Sequence, residues 1–480
     1  MSVLPRTSAA HARSLAAGAT ECGAGAPHPF ATRTRAVSAP SSVALPAVVG
    51  AGLVVPTLSG ATTYANLDHA ASTPALVAVK EAVDRALETY ASVHRGAGYA
   101  SRLTSAWYEQ ARAEVAAFVG ARPGDAVVFT RTTTDSWAVL SAALPETATV
   151  FVFASEHHST LLPWGENRTV RLPVPRSIAE AHSALSEALS GELSGTLSGH
   201  GDGPRLVVIT AASNVTGEVW PVEELTRLAH RHGARVAVDA AQLSAHRRID
   251  LAASDVDYIA FSGHKTYAPF GTGVLAGRSD WLDAGEPYLR GGGATRAVAE
   301  DGTTWATGAA RHEGGSPNVI GAIALAAACA TIAGNRAAIE GHETRLLARL
   351  RDGLRSIDGV EELSIFDEAH DRVGVVAFTV RGFDSSLVSQ VLSVEHGIGV
   401  RDGRFCAHLL VDDLLSGSAE HATAVRASIG LGSTREGVDR LIGALRELVE
   451  AGPAATWTHG ESGWVVDGDD PRDGDAVRPW

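Results

Sequence analysis

The chain has 480 residues, a net charge of -14 at pH 7, 45% hydrophobic residues and 20% charged residues. That balance excludes wholesale disorder and argues against a nucleic-acid surface, which needs a basic face. Length alone suggests about two to three domains. Lys and Arg together number 40, yet the only lysines are Lys80 and Lys265. Chemistry that needs a primary side-chain amine is therefore confined to those positions. The three cysteines, Cys22, Cys329 and Cys406, are too few for a disulfide framework and suit a reducing, cytoplasmic setting. No uninterrupted apolar run reaches about 18 residues, so no membrane span is expected. The first fifteen residues also lack the charged start and apolar core of a signal peptide.

Residues 1–60 are rich in Ala, Ser, Thr, Pro and Gly, with four Arg and one acid, Glu21. They read as a disordered low-complexity extension, because little in them buries enough surface to offset ordering entropy. The Arg-rich, acid-poor start also has the composition of an organelle transit peptide. Within it, 47–58 is a candidate short strand. Thr73 and Pro74 open a helix in which Leu76, Val79, Val83, Leu87 and Tyr90 recur at helical spacing. Short apolar strands follow at 126–129, 150–153, 205–209, 235–238 and 258–261. Helical segments between them suggest a mostly parallel sheet with crossover helices. Residues 188–203 are a low-complexity loop of the kind tolerated at a surface. A charged helix at 336–357, strands at 374–380 and 399–401, and a closing helix at 436–450 suggest a small α+β domain. The expected organisation is the extension at 1–60, a large α/β domain at 61–330, a small domain at 331–451 and a flexible acidic tail at 452–480.

Lys265 follows the strand 258–261 in FSGHKTYAPFGTG. A lysine at the end of a buried strand is poorly solvated, which disfavours its charged form and prepares it for Schiff-base chemistry. Taken alone it suits a snorkelling lysine equally well. Lys80 lies four residues before Asp84 on a polar helix face and reads as solvated. Two features tilt the balance towards Lys265. Asp239 ends the strand in VAVDAAQ, where a carboxylate suits the ring nitrogen of pyridoxal phosphate (PLP); a helix N-cap is the other use of Asp there. Thr132, Thr133 and Thr134 open a helix after the strand 126–129, and a helix N-terminus cradles phosphate without a lysine.

Together these segments resemble the class V aminotransferase family of PLP enzymes, and within it the group II cysteine desulfurases. The resemblance covers residues 64–450 through NLDHAASTP, SVHRGAGYAS, FTRTTTDS, SEHHSTLLPW, SNVTGEVWPV, VDAAQ, SGHK, EGGSPN, VRDGRFCAH and RASIG, in family order. It implies a fold type I architecture, a large domain with a mostly parallel seven-stranded sheet plus a smaller α+β domain. It makes Lys265 the Schiff-base lysine, with Asp239 on the pyridine nitrogen and Gln242 on the ring hydroxyl. His157 stacks on the ring and shuttles protons, and Asn214 lies near the ring hydroxyl and the substrate. Thr133, Thr134, Ser262 and His264 hold the phosphate, and Ser316 reaches it from a second subunit, implying a homodimer. Arg426 binds the substrate carboxylate, with Ala71, His94 and Arg95 nearby; alone, Arg426 reads as a surface arginine.

The cysteines separate by context. Cys329 lies in the apolar helix ALAAACATIAG and reads as a core residue. Cys22 lies in the extension. Cys406 lies in a polar loop between Arg401, Arg404 and His408, whose charges favour a thiolate, and it matches the family's catalytic cysteine. The resemblance therefore implies a desulfurase: L-cysteine becomes L-alanine, Lys265 or His157 removes the α-proton, and Cys406 keeps the sulfur as a persulfide for an acceptor protein or small thiol. The other class V activities (selenocysteine lyase, C–S lyase, epimerase, aminotransferase) do not need Cys406. The chain departs from the family at Gly432-Ser433-Thr434, after RAS, and at Arg404-Phe405, where histidines usually precede the cysteine. Residues 1–60 resemble, in composition, segments that load some desulfurases into encapsulin-type shells.

Overall fold

In the computed structural model, which describes residues 45–94, 96–191, 203–367, 370–461 and 463–474, the apolar runs lie side by side in one seven-stranded sheet. Its order is Ala126–Thr130, Gly273–Gly277, Tyr258–Ser262, Ala234–Asp239, Arg205–Thr210, Thr149–Phe153 and Thr169–Leu172. Strands such as TVFVF and YIAFS are buried along their whole length, as expected where helices cover both faces of a sheet. Gly273–Gly277 runs antiparallel to both its neighbours. The other strands all run one way, so their carboxyl ends share one edge. Gly273 is required by close approach: a Cβ there would come 2.6 Å from the carbonyl carbon of Thr132. The strand thus passes directly beneath the turn that opens the helix Thr133–Ala143.

A second, four-stranded antiparallel sheet contains Val360–Glu362, Val375–Val380, Ala424–Ser428 and Arg401–Gly403. The helix Val319–Arg355 serves both regions. Its early residues Leu325, Ala328, Cys329 and Ile332 join the core beside the large sheet, and Leu346, Leu350 and Leu354 join the core of the small one. The charged helix expected at 336–357 is the second half of this single 37-residue element. By length and composition it could cross a membrane, with an 18-residue window of mean hydropathy 1.5. Here its apolar half packs into the protein core.

Several boundaries differ from expectation. The first long helix spans Val77–Leu87 rather than starting at Thr73. The Thr73 backbone N–H and side-chain hydroxyl instead donate to the His264 carbonyl at 2.7 and 3.1 Å. Leu87 and Tyr90 are exposed, because the helix ends before a further turn can face the core. Part of the expected extension is ordered: Val54–Thr57 and Gly60–Thr63 form a hairpin, held by Arg440 donating to Thr62 Oγ1 at 2.7 Å. The segment after Gly452 also folds, as the hairpin Trp457–Gly460 and Gly463–Val466. Glu395 anchors it by accepting from the backbone N–H of Ala454 and Ala455 and from Trp457 Nε1 at 3.0–3.2 Å. Cys22, Arg95 and most of the loop at 188–203 lie outside the described residues.

Candidate active site

The shared carboxyl edge of the large sheet delivers the polar residues. Thr130, Thr210, Asp239 and Ser262 end their strands, and the segments just beyond supply Thr133, Asn214, Gln242 and Lys265. A crevice at such an edge is the usual ligand position in open α/β sheets. Here it is a cavity of about 240 Å³. Its wall includes Ala71, Thr133, Thr134, His157, Asn214, Asp239, Gln242, Ser262, His264 and Lys265, closed on the other side by Arg401, Phe405, Cys406 and Arg426. Among the described residues Asp239 is the only acid in that wall, against the bases Lys265, Arg401 and Arg426, so the cavity suits an anion.

At one end, Thr132 caps the helix Thr133–Ala143 by accepting from the Asp135 N–H. The Thr133 N–H donates to Ser262 Oγ at 2.7 Å, and the two hydroxyls lie 2.7 Å apart. At the other end Asp239 is buried, one oxygen accepting from Thr160 Oγ1 at 2.6 Å and the other from the Ala241 N–H at 2.9 Å. These bonds hold the carboxylate in place and leave lone pairs free towards the cavity. Glu156 is buried behind it and accepts from the Thr210 N–H at 2.8 Å. Burial pushes its carboxyl well above the usual range, with the Asp239 charge adding to the effect and the Thr210 N–H opposing it.

Lys265 is half-buried. Loss of hydration brings its pKa from 10.5 down to about 8; Asp239 and Cys406 oppose the shift, and the cations Arg426 and Arg401 assist it. His157 is held down to about 3 by burial and then by the charge of Lys265, so its ring is neutral. His157 Nδ1 accepts from the Ser159 N–H at 3.1 Å, which assigns the ring proton to Nε2. Gln242 Nε2 donates to the Ala70 carbonyl at 3.0 Å.

Arg426 is buried. It donates to the Asn214 carbonyl at 2.9 Å and to Asp68 Oδ1 at 3.2 Å, and its Nε has no partner. Its guanidinium carbon lies 5.1 Å from the centre of the Phe405 ring. Cys406 is exposed, and both Phe405 and Cys406 adopt left-handed backbone, with φ of 52° and 55°. That conformation is uncommon for residues with a Cβ and is held from both sides. Asn214 Nδ2 donates to the Phe405 carbonyl at 2.8 Å, and the His158 N–H donates to the Cys406 carbonyl at 2.8 Å.

Residues 65–441 match the family model for class V aminotransferases. The chain belongs to the class V aminotransferase family. A cysteine desulfurase of Dickeya dadantii is 35% identical over 395 residues, covering 80% of this chain and 92% of that protein. A probable cysteine desulfurase of Vibrio cholerae is 31% identical over 400 residues, covering 80% and 93%. Among solved structures, the apo cysteine desulfurase of Thermococcus onnurineus NA1 aligns with a TM-score of 0.71 at 30% identity, over 81% of this chain and 95% of that one.

The cofactor of class V aminotransferases, PLP, fits these residues. A phosphate matches the Thr133–Thr134 helix start with Ser262 and His264, and a protonated pyridine nitrogen matches the buried Asp239. The fold does not bring every expected residue to the cavity. His94 lies outside it, paired with Glu109 at 2.9 Å; Ser316, expected to act from a second subunit, is exposed and outside the wall of its own copy. Ser159 and Thr210 in the cavity wall, and Thr160 on Asp239, are further site residues that the sequence reading does not name. Thr160 stands three positions after His157, inside the segment SEHHSTLLPW, and that spacing was its signal.

Proposed function

We propose that this chain is a PLP-dependent cysteine desulfurase that converts L-cysteine to L-alanine and retains the sulfur as a persulfide on Cys406. The observation that carries the reading is an exposed thiol, Cys406, in the wall of the same cavity as Lys265 and Arg426. PLP bound there supplies an electron sink that makes the substrate's Cα–H and C–S bonds labile. Arg426 lines the cavity and takes the substrate carboxylate, a task suited to a guanidinium. Lost hydration brings the Lys265 pKa down to about 8, which favours the neutral amine as an acceptor for the α-proton. The neutral His157 presents Nε2–H and holds a proton near the reacting centre without adding charge. Cys406 then attacks the substrate sulfur, and the pinned loop keeps the thiol in position for that attack.

The family resemblance assigns Ser316 to the phosphate of a second copy, and its exposure outside its own cavity wall is compatible with that homodimer. A single assay tests the reading: alanine and protein-bound persulfide are followed after addition of L-cysteine to the wild type and Cys406→Ala. Wild type should form both products and the variant neither. Alanine formation at full rate by Cys406→Ala would assign the chain to a class V activity that bypasses this thiol.

A further inference from the structure

Two histidines beside Cys406 have no part in substrate binding or α-proton removal. His158 donates its backbone N–H to the Cys406 carbonyl. His408 follows Cys406 by two residues and begins the helix His408–Leu414. The two rings meet edge to face, with centres 4.5 Å apart and planes at 72°. The His408 N–H also points at His158 Nε2 from 3.4 Å. His408 and Cys406 are both exposed, so an imidazole pair stands at the mouth where a sulfur acceptor must arrive.

Discharge of a persulfide needs a thiolate. An aliphatic thiol with a pKa near or above about 8.5 is mostly protonated at neutral pH, so a nearby neutral imidazole is the group that step lacks. Burial, then the charge of His408, holds the His158 imidazole below its usual range. The other charges around the pair are already engaged. Arg404 pairs with Asp412 at 3.2 Å and Arg176 with Asp413 at 2.7 Å. Neutral His157 adjoins His158, and Lys265, Arg401 and Arg426 line the cavity on the inner side.

We propose that the His158–His408 pair accepts the proton of the thiol that collects sulfur from Cys406; this deepens the desulfurase reading and rests on it. The acceptor sulfur loses its proton to an imidazole and forms a bond to the outer sulfur of the Cys406 persulfide. The sulfur–sulfur bond to Cys406 breaks, its electron pair stays on Cys406 Sγ, and the imidazolium proton returns to that thiolate. The acceptor leaves as a persulfide, and no outside oxidant or reductant is consumed.

The test uses wild type, His408→Gln and the double variant His158→Gln/His408→Gln, each loaded with persulfide by L-cysteine and freed of excess substrate. Discharge is then timed with 2-mercaptoethanol, which is protonated at pH 7, and with thionitrobenzoate, which is already ionised. The double variant should discharge to 2-mercaptoethanol about 100-fold more slowly, at the lower end of general-base effects, and to thionitrobenzoate at about the wild-type rate. The deficit with 2-mercaptoethanol should shrink as pH rises. Should the double variant fail to load, His408→Gln carries the comparison, since that side chain is exposed. Equal slowing with both thiols, or none with 2-mercaptoethanol, overturns the proposal. A wild type that acquires no persulfide would instead sink the desulfurase reading.

Discussion

The lysines of this chain sit in opposite environments. Lys80 lies on the outer face of the helix Val77–Leu87, its amine 2.6 Å from Asp84 and its side chain 59% exposed. The Asp84 hydrogen bond and charge raise its pKa. Lys265 lies at the carboxyl end of a fully buried strand, where lost hydration outweighs the pull of Asp239 and brings it down to about 8. Identical side chains thus differ in chemistry through the element that carries them. Desolvation, rather than residue type, makes one amine reactive.

The sharpest way to break that contrast is covalent. Borohydride reduction of the cofactor-loaded protein should fix PLP to one peptide containing Lys265. Lys265→Ala should lose both that label and all cysteine-dependent alanine formation, whereas Lys80→Ala should retain both. Label on Lys80 would reverse the assignment.

A second prediction applies the same desolvation physics to a histidine. His69 is buried, and burial, followed by the charge of His246, holds its pKa down to about 4 against a backbone contact with Asn66. The unfolded chain therefore binds the His69 proton below about pH 6.5 while the folded chain does not, so stability falls as pH drops from 6.5 towards 4. At 1.36 kcal/mol per unit, that group alone contributes a loss of about 3 kcal/mol across the window. Urea midpoints against pH should show a shallower fall for His69→Gln; an identical slope would rule His69 out as a source.

The third prediction is smaller and tests the phosphate end of the Lys265 region. Gly273→Ala forces a Cβ against Thr132 backbone and Thr130 Oγ1. It should cost about 1–3 kcal/mol, as overpacking does, and speed the loss of PLP on dialysis. Unchanged cofactor retention would mean that the strand beneath the threonine turn does not hold its geometry.

The strands with continuous β-branched runs were legible from the sequence, because burial on both faces leaves no polar interruption. The antiparallel strand Gly273–Gly277 was not. Two of its five residues are glycine, and glycine is needed there for the passage under Thr132, against its poor strand propensity. The tail after Gly452 read as flexible because its Asp and Gly are turn-formers. What orders it is distant: Glu395 captures Ala454, Ala455 and Trp457, a pairing that local pattern does not encode. In the site, Asp239 and Lys265 were legible because a carboxylate and an amine at strand ends have a chemical reason to be there; Thr210, which also ends a strand and lines the cavity, was not. Arg401 and Phe405 were legible only as neighbours of Cys406; their place in the cavity wall depends on the antiparallel pairing of Arg401–Gly403 with Ala424–Ser428. His94 and Ser316 were chosen by family match alone, and within one copy they stand outside the wall.

The helix Val319–Arg355 gives its first half to one core and its second half to the other. At 1.5 Å per residue it is about 55 Å long, and neither core can lose it and keep its packing. Lys265 and the Cys406 loop, though built on different sheets, are thus joined through one continuous helix. Where that helix couples the cores, calorimetry should record a single heat-absorption peak; a stepwise loss of one core before the other would show that they unfold separately.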